Sequence, residues 1–280
     1  MTEKRKAIIF MMLAAILWSI GGVLIKGIDW HPMSISGGRS IIAALIIGLA
    51  FRKEKLSFSK SQLAGAAAYC ACVILFVAAT KLTTAANAIL LQYTAPIYVA
   101  LLSSWLLGEN VSRRDWFTIF AVCCGMIFFF LDKVTAGGTL GNLYAIGSGI
   151  SFALFTLFMR MQKEESPYGS VLLGNIFTFL LSFPFWSYNS MDAANITGIL
   201  LLGIFQLGLS YVFYSYAIRY IEALKATLIT SIEPILNPIW VFLLFHEQPG
   251  FYSMFGGFVV LAAILLRYWL DSRSEAQYQA

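Results

Sequence analysis

Residues 85–107 read AANAILLQYTAPIYVALLSSWLL, and no charged side chain interrupts them. A helix needs about 20 apolar residues to cross the hydrocarbon core of a bilayer. The whole chain has this character, with 59% hydrophobic residues, 12% charged residues and a mean hydropathy of +0.78. A soluble domain has about 25% charged residues and could not cover so much apolar surface. The sequence therefore predicts an all-α integral membrane protein.

Ten apolar runs of this kind follow one another with short connections. In the first half they are residues 7–25, 33–51, 63–80, 85–107 and 116–131. In the second half they are residues 140–159, 168–188, 196–217, 224–245 and 251–270. The first run resembles a signal peptide, but it is longer than the about 7–15 residues of an h-region and no small-residue cleavage site follows it. We therefore interpret it as the first of ten transmembrane helices.

The basic residues fall mainly on one side of this arrangement. Of the 19 lysines and arginines, the opposite side would hold only Lys26, Lys81 and Lys133, while Arg39 falls inside the second run. Loops rich in lysine and arginine stay in the cytoplasm. We therefore predict an even number of spans in the cell inner (cytoplasmic) membrane, with the N- and C-termini both in the cytoplasm.

The two halves of the chain align at an offset of 138 residues, which is the separation of Pro96 and Pro234. The same offset pairs Glu109 with Glu247. Five spans in each half is an odd number, so the two halves must have opposite orientations. Inverted repeats are typical of secondary transporters, whose substrates bind near the midplane. The sequence predicts two inverted five-helix repeats, residues 1–133 and 134–280, in one membrane domain.

Several short motifs resemble the drug/metabolite transporter superfamily, specifically its EamA-type members. They are AAILW at 14–18, the segment 32–39, TAP at 94–96, LGE at 107–109, IEP at 232–234 and HE at 246–247. The resemblance implies ten helices, with the fourth and ninth beside a central cavity and the fifth and tenth at the periphery. It covers nearly the whole chain but does not fix the substrate, because the family moves amino acids, amines, nucleoside-like compounds and drugs. His246 departs from the first copy, which has Gly108.

Two charged residues lie inside predicted spans, where each costs about 2.5–3.5 kcal/mol on insertion scales. Glu233 is near the middle of the ninth run and Arg39 is in the second. One interpretation is a binding site in which Glu233 holds an ammonium group and Arg39 a carboxylate. Glu233 is also a candidate proton-coupling site, because burial disfavours an ionised carboxyl. The alternative is that the two residues pair with each other, or with backbone freed by Pro234, and only fix the packing.

Other residues inside the spans complete the predicted site. Aromatic rings near an acid can cage a cation or stack on a ligand, or can simply pack. The deep aromatic candidates are Trp18, Tyr93, Tyr98, Tyr211, Tyr214 and Trp240. Polar side chains inside spans can orient a ligand or bridge helices. These candidates are Asn87, Gln92, Asn175, Gln206 and Asn237.

Three prolines, Pro96, Pro234 and Pro238, fall inside the fourth and ninth runs. A proline removes one helical hydrogen bond and kinks the helix. The freed carbonyl is tolerated in a membrane where the backbone lines a cavity. We expect these kinks to take part in gating between inward-open and outward-open states; static curvature is the alternative.

The sequence argues against catalysis and metal binding. Cys70, Cys72, Cys123 and Cys124 lie in apolar runs, where they act as small hydrophobic residues rather than as disulfide or zinc ligands. The histidines fall at span ends, and no HExxH motif is present. We predict no catalytic residue, no metal, no cofactor and no nucleic-acid partner.

The favoured function is a secondary transporter that moves a small amphipathic metabolite, an amino acid or related amine, across the membrane by alternating access, with proton coupling left open. The alternatives are a transporter of organic cations or drugs and an uncoupled facilitator. If Arg39 faces the cavity, the ligand should carry a carboxylate; if Arg39 is structural, Glu233 and the aromatic rings favour an organic cation. The expected partners are the small-molecule substrate and the lipid bilayer, and a homodimer is left open.

Overall fold

The computed structural model describes residues 2–83, 85–130, 138–188, 190–236 and 251–278, and all regular structure in this part of the chain is helical. The helices before residue 131 are α1 (Glu3–Trp18), α2 (Gly21–Gly27), α3 (Pro32–Ala50), α4 (Lys60–Leu82), α5 (Ala85–Gln92), α6 (Ala95–Leu107) and α7 (Arg113–Phe130). The later helices are α8 (Thr139–Met161), α9 (Tyr168–Ser182), α10 (Ala193–Leu201), α11 (Ser210–Ala217), α12 (Ala223–Thr230) and α13 (Phe251–Tyr278). A 3₁₀ helix (Phe183–Tyr188) extends α9, and a π-helix (Leu202–Leu209) joins α10 to α11.

Seven helical stretches in the described residues are long and apolar enough to cross a bilayer. They are Glu3–Gly27, Pro32–Ala50, Lys60–Leu82, Asn87–Leu107, Thr139–Met161, Tyr168–Trp186 and Ala193–Ala217. The ninth predicted run is described only as far as residue 236. Many large apolar side chains on the outside of the bundle are exposed, among them Leu49, Trp105 and Phe258. The chain is a multi-pass, all-α membrane protein.

Local sequence sets where several helices begin and end. The Ser59 hydroxyl accepts a hydrogen bond from the Gln62 amide at 3.2 Å and caps α4. Pro32 occupies the first turn of α3, where its missing N–H costs nothing. Gly108 ends α6 with φ 65°, a left-handed conformation that favours glycine.

Five predicted runs are not continuous α-helices. The first run breaks after Trp18, just before the pair Gly21-Gly22, and the seventh tightens at Phe183, next to Pro184. The eighth contains the π-helix. The fourth and ninth runs break alike, because α5 and α12 each end four residues before a proline, Pro96 or Pro234.

Helix α4 lies at the centre of the bundle, between α8 and α9, while α3 packs against α9 and the π-helix. Helices α7 and α13 pack mainly against each other. Their backbones approach closely at Gly125, where an added Cβ would lie 2.7 Å from Val260 Cγ2. Helices α7 and α13 therefore form a pair at one side of the group of α3, α4, α8 and α9.

One end of the bundle is joined by ion pairs between connecting segments. Arg160 at the end of α8 lies 2.7 Å from Glu109, which follows α6. Arg219, which follows α11, lies 2.5 Å from Glu54, which follows α3. The Arg160 guanidinium also donates to the Ile218 carbonyl at 3.1 Å. These connections all belong to the side that the sequence predicts to be rich in basic residues.

Candidate functional site

A central cavity of about 40 Å³ lies where the helices are interrupted. The breaks after α1, α5 and α12 and the π-helix all contribute residues to its wall. Its lining residues are Trp18, Arg39, Cys72, Val73, Phe76, Gln92, Tyr93, Phe152, Gln206, Leu207, Tyr211 and Glu233. Helix interruptions leave backbone groups and side chains available to a ligand, which is where membrane proteins tolerate them.

Arg39 of α3 is 1% exposed, and hydrogen bonds hold its two terminal nitrogens. Its Nη1 donates to Gln206 Oε1 at 2.9 Å, and its Nη2 donates to the Val73 carbonyl at 3.3 Å. Its Nε has no hydrogen-bond partner among the described residues. The terminal nitrogens therefore fix the guanidinium, while the Nε–H has no acceptor.

Gln206 reaches Arg39 because of the π-helix and a glycine opposite it. A Cβ at Gly21 would lie 2.9 Å from Gln206 Nε2, so the amide packs directly against the α2 backbone. A π-helix carries more residues per turn than an α-helix and is frequent at functional sites. Gln206 is therefore wedged between α2 and the Arg39 guanidinium.

Glu233 is 7% exposed and follows α12 at the helix break. Its Oε2 lies 2.5 Å from the Tyr93 hydroxyl, which is also 2.8 Å from the Thr230 carbonyl. Glu233 and Arg39 line the same cavity, yet no ion pair between them is found among the described residues. The cavity thus contains a carboxyl and a guanidinium with separate partners.

An aromatic cluster forms one wall of the cavity. The Trp18 ring centroid lies 5.0 Å from that of Tyr211 and 5.8 Å from that of Phe152, with an edge-on geometry to Phe152. Trp18 Nε1 is buried and has no hydrogen-bond partner among the described residues. The wall therefore offers apolar ring faces.

The sequence model of the EamA-like transporter family matches residues 5–131 and, separately, residues 139–269. The chain belongs to the EamA-like transporter family. Family membership makes it a membrane transporter and not an enzyme. It confirms the resemblance drawn from the motifs.

Curated relatives of this EamA-like protein match over most of their length. An "uncharacterized transporter" of Archaeoglobus fulgidus is 26% identical over 91% of this chain and 94% of its own. The pseudopaline exporter CntI of Pseudomonas aeruginosa (strain UCBPP-PA14) is 24% identical over 93% and 95%, respectively. A solved crystal structure superposes with a TM-score of 0.80 at 17% identity, covering 95% of this chain and 98% of the other, and shows a shared fold only.

Predicted site residues of this EamA-like transporter meet in the cavity. They are Trp18, Arg39, Gln92, Tyr93, Tyr211 and Glu233, and Gln206 joins them as a seventh. The Gln92 amide also donates to Ser148 Oγ at 2.8 Å and is thereby anchored to α8. Cys72, Phe76 and Phe152 line the cavity too, but their sequence context is that of any core residue. Helical spacing on α4 is the only signal that could have indicated Cys72 and Phe76.

The other predicted site residues lie elsewhere or outside the described residues. Asn87 bonds to Asn142 Oδ1 at 3.2 Å, and Tyr214 bonds to Thr156 at 2.8 Å behind the aromatic wall. Tyr98 is half-buried on α6 and packs against the core. Asn237, Pro238 and Trp240 fall outside the described residues.

Proposed function

We propose that this chain is a secondary transporter that moves a small amphipathic metabolite, an amino acid or related amine, across the cytoplasmic membrane by alternating access. One observation carries the proposal. One cavity is lined by a buried carboxyl, Glu233, and a buried guanidinium, Arg39, that are not paired with each other in the described structure. Charges of opposite sign in one cavity suit a zwitterion, with Glu233 binding its ammonium group and Arg39 its carboxylate.

Two buried N–H donors without acceptors support the proposal that the ligand carries a carboxylate. Buried N–H groups without partners are rare, because each costs about 1–3 kcal/mol. Arg39 Nε and Trp18 Nε1 are two such groups, on side chains that line one cavity. A carboxylate seated between them would satisfy both, while the Trp18 and Tyr211 rings would contact the apolar part of the ligand.

Alternating access requires two halves that can move against each other. We infer ten spans in two inverted repeats, residues 1–133 and 134–280, with both termini in the cytoplasm. The two separate matches to one family model and the recurrence of the same break before Pro96 and Pro234 support this inference. In that orientation the ion pairs of Glu109 and Glu54 lie on the cytoplasmic side and would have to separate when the cavity opens there. Pro96, Pro234 and Pro238 would be the bending points.

A transporter of organic cations is the second candidate, and the aromatic wall favours it. Trp18, Tyr211 and Phe152 could surround a quaternary ammonium group while Glu233 neutralises it. Arg39 would then be a structural residue that supports α3 and α4. Uncoupled passage through the same cavity is the remaining alternative, and saturation and counterflow of the flux distinguish it from both candidates.

The experiment is a binding and flux panel on the purified full-length chain. Thermal shifts are measured with amino acids, the corresponding decarboxylated amines and quaternary amines, and active compounds are then tested for counterflow in proteoliposomes. We expect shifts from amino acids, saturable counterflow, and loss of both in Glu233→Gln. The matched control is Glu222→Gln, the same change on an exposed carboxyl just before α12.

The other possible results of this panel select one of the alternatives or contradict the role of Glu233. Shifts from quaternary amines alone would select the cation transporter, and flux that neither saturates nor shows counterflow would select a passive pathway. Normal binding and counterflow in Glu233→Gln would contradict the role of Glu233.

A further inference from the structure

The Thr230 carbonyl occupies an unusual position at the end of α12. In a continuous helix it would accept a hydrogen bond from the residue four positions later, which is Pro234. Proline has no N–H, so this acceptor loses its helical partner. A buried carbonyl without a donor is costly in a membrane interior. Here the donor is the hydroxyl of Tyr93, which lies between α5 and α6. Tyr93 Oη is 2.8 Å from Thr230 O.

The same Tyr93 hydroxyl has a second acceptor within reach. Glu233 Oε2 lies 2.5 Å from it. A tyrosine hydroxyl has one proton and can donate a full hydrogen bond to only one acceptor at a time. Which acceptor it serves depends on whether Glu233 carries a proton.

We propose that Tyr93 is a positioning residue that couples proton occupancy of Glu233 to the helix break between Thr230 and Pro234. When Glu233 is protonated, its O–H donates to Tyr93 Oη, and the Tyr93 proton donates to the Thr230 carbonyl. When Glu233 loses its proton, the Tyr93 hydroxyl rotates to the carboxylate and the Thr230 carbonyl loses its donor. Protonation of Glu233 therefore stabilises the backbone at the helix break, and loss of the proton destabilises it.

The other ionisable groups near Glu233 have partners of their own, so Tyr93 is the group that responds to its protonation. The other ionisable side chains on the same cavity are Arg39 of α3, Cys72 of α4 and Tyr211 of α11. Arg39 bonds to Gln206 and Val73, and Cys72 lies 3.7 Å from Ser148 Oγ. Lys225 on α12 pairs with Glu222 at 3.1 Å, near the helix start.

The first half of the chain satisfies the equivalent carbonyl differently. Gln92 precedes Pro96 by four residues, as Thr230 precedes Pro234. A Cβ at Gly149 would lie 2.7 Å from the Gln92 carbonyl oxygen, so this carbonyl packs against the α8 backbone. Among the described residues, no hydrogen-bonded carboxyl–hydroxyl pair like that of Glu233 and Tyr93 contacts it. Pro96 therefore provides a matched control.

The test is hydrogen–deuterium exchange of the segment 224–236 in the purified full-length chain, without substrate. Labelling is compared from about pH 5 to about pH 9, a range that covers buried carboxyls, with times corrected for the intrinsic pH dependence of amide exchange. We expect the wild type to exchange about tenfold faster at the alkaline end. Tyr93→Phe should exchange fast at every pH, and Glu233→Gln slowly at every pH, because its amide can donate to Tyr93 as the protonated acid does.

Pro234→Ala gives the sharpest outcome, because it restores an N–H for the Thr230 carbonyl. Pro234→Ala and the double variant Tyr93→Phe/Pro234→Ala should both exchange slowly at every pH, so the second change rescues the first. Pro96→Ala should keep the wild-type pH profile. Wild-type pH dependence in Tyr93→Phe, or absence of rescue by Pro234→Ala, would overturn the proposal.

This inference rests on the proposed function only for the use of the switch in transport. The exchange experiment contains no substrate, so its result stands whether or not the cavity binds an amino acid. A normal pH switch with no amino-acid binding would refute the proposed substrate alone. Amino-acid counterflow without the pH switch would refute the role of Tyr93 alone.

Discussion

Glu109 joins three segments of the chain, because it lies 2.7 Å from Arg160 at the end of α8 and also accepts the Ala223 amide at 3.0 Å, at the start of α12. Both partners are well shielded, with side-chain exposures of 12% for Arg160 and 19% for Glu109. The carboxylate thus connects the α6–α7 segment with helices of the second half.

The Glu109–Arg160 pair should therefore show strong coupling in a double-mutant cycle. We expect a coupling free energy of about 1–3 kcal/mol from unfolding measurements on Glu109→Gln, Arg160→Gln and the double variant. The Glu222–Lys225 pair, with Glu222 half exposed, should give about 0.5 kcal/mol or less in the same cycle. Equal coupling in the two pairs would mean that Glu109 is an ordinary surface charge.

Arg39→Lys should separate ligands with and without a carboxylate. Lysine keeps the charge but cannot bond to Gln206 and Val73 while presenting a further N–H to the cavity. Affinity for an amino acid should fall about 10- to 100-fold, and affinity for the decarboxylated amine should change little. Calorimetric titration of both compounds measures this, and an equal loss for the two would assign Arg39 a structural role.

Gly21→Ala should damage the site from a distance. The new Cβ would meet Gln206 Nε2 at 2.9 Å and displace the amide that holds Arg39. We expect a loss of about 1 kcal/mol in stability together with weaker carboxylate binding. Gly27→Ala is the control, since no atom lies within 4 Å of its added Cβ. If Gln206→Ala does not relieve the stability loss of Gly21→Ala, the clash is not the cause.

Gly125→Ala should lower stability without changing ligand binding. Its Cβ would lie 2.7 Å from Val260 Cγ2 and 3.0 Å from the Gly256 carbonyl, and a backbone atom cannot move aside cheaply. We expect a loss of about 1–3 kcal/mol in the free energy of unfolding. Gly147→Ala meets only the Leu75 side chain, at 3.2 Å, and should cost less. Binding constants measured on both variants should equal that of the wild type.

Asp192 should make the α10 end of the bundle sensitive to acid. Hydrogen bonds from the Asn195 backbone N–H and then from the Ser190 hydroxyl hold the pKa of Asp192 below its usual range. A lowered pKa contributes stability above the unfolded value, about 3.9, that is lost as pH falls through the folded value. Asp192→Asn keeps an N-cap but should remove this pH dependence from the unfolding temperature. An unchanged acid profile in that variant would contradict the assignment.

The membrane class and much of the site could be predicted from the sequence. Apolar runs and the cost of a buried charge are properties of single residues, so Glu233 and Arg39 stood out without any knowledge of packing. Proline chemistry likewise predicted where the fourth and ninth runs lose their helical hydrogen bonds.

Which side chains bond to each other could not be predicted in this way. Whether Arg39 pairs with Glu233 or with Gln206 depends on the rotation of three helices about their axes, which hydropathy does not encode. Tyr98, Tyr214 and Asn87 carry the same chemistry as Tyr93 and Tyr211, and only the packing shows that they lie outside the cavity wall. The π-helix has no signature in the composition of Leu202–Leu209.

That π-helix bears on how the specificity of the site can change. Its wider turns accommodate an additional residue between two α-helical stretches, and Gln206 owes its position to it. Deleting one residue there would restore α-helical winding and turn a different side chain toward the cavity, with every connecting loop left intact. Changes of length inside one helix, and not only substitutions, are thus a route by which homologous transporters could acquire new substrates.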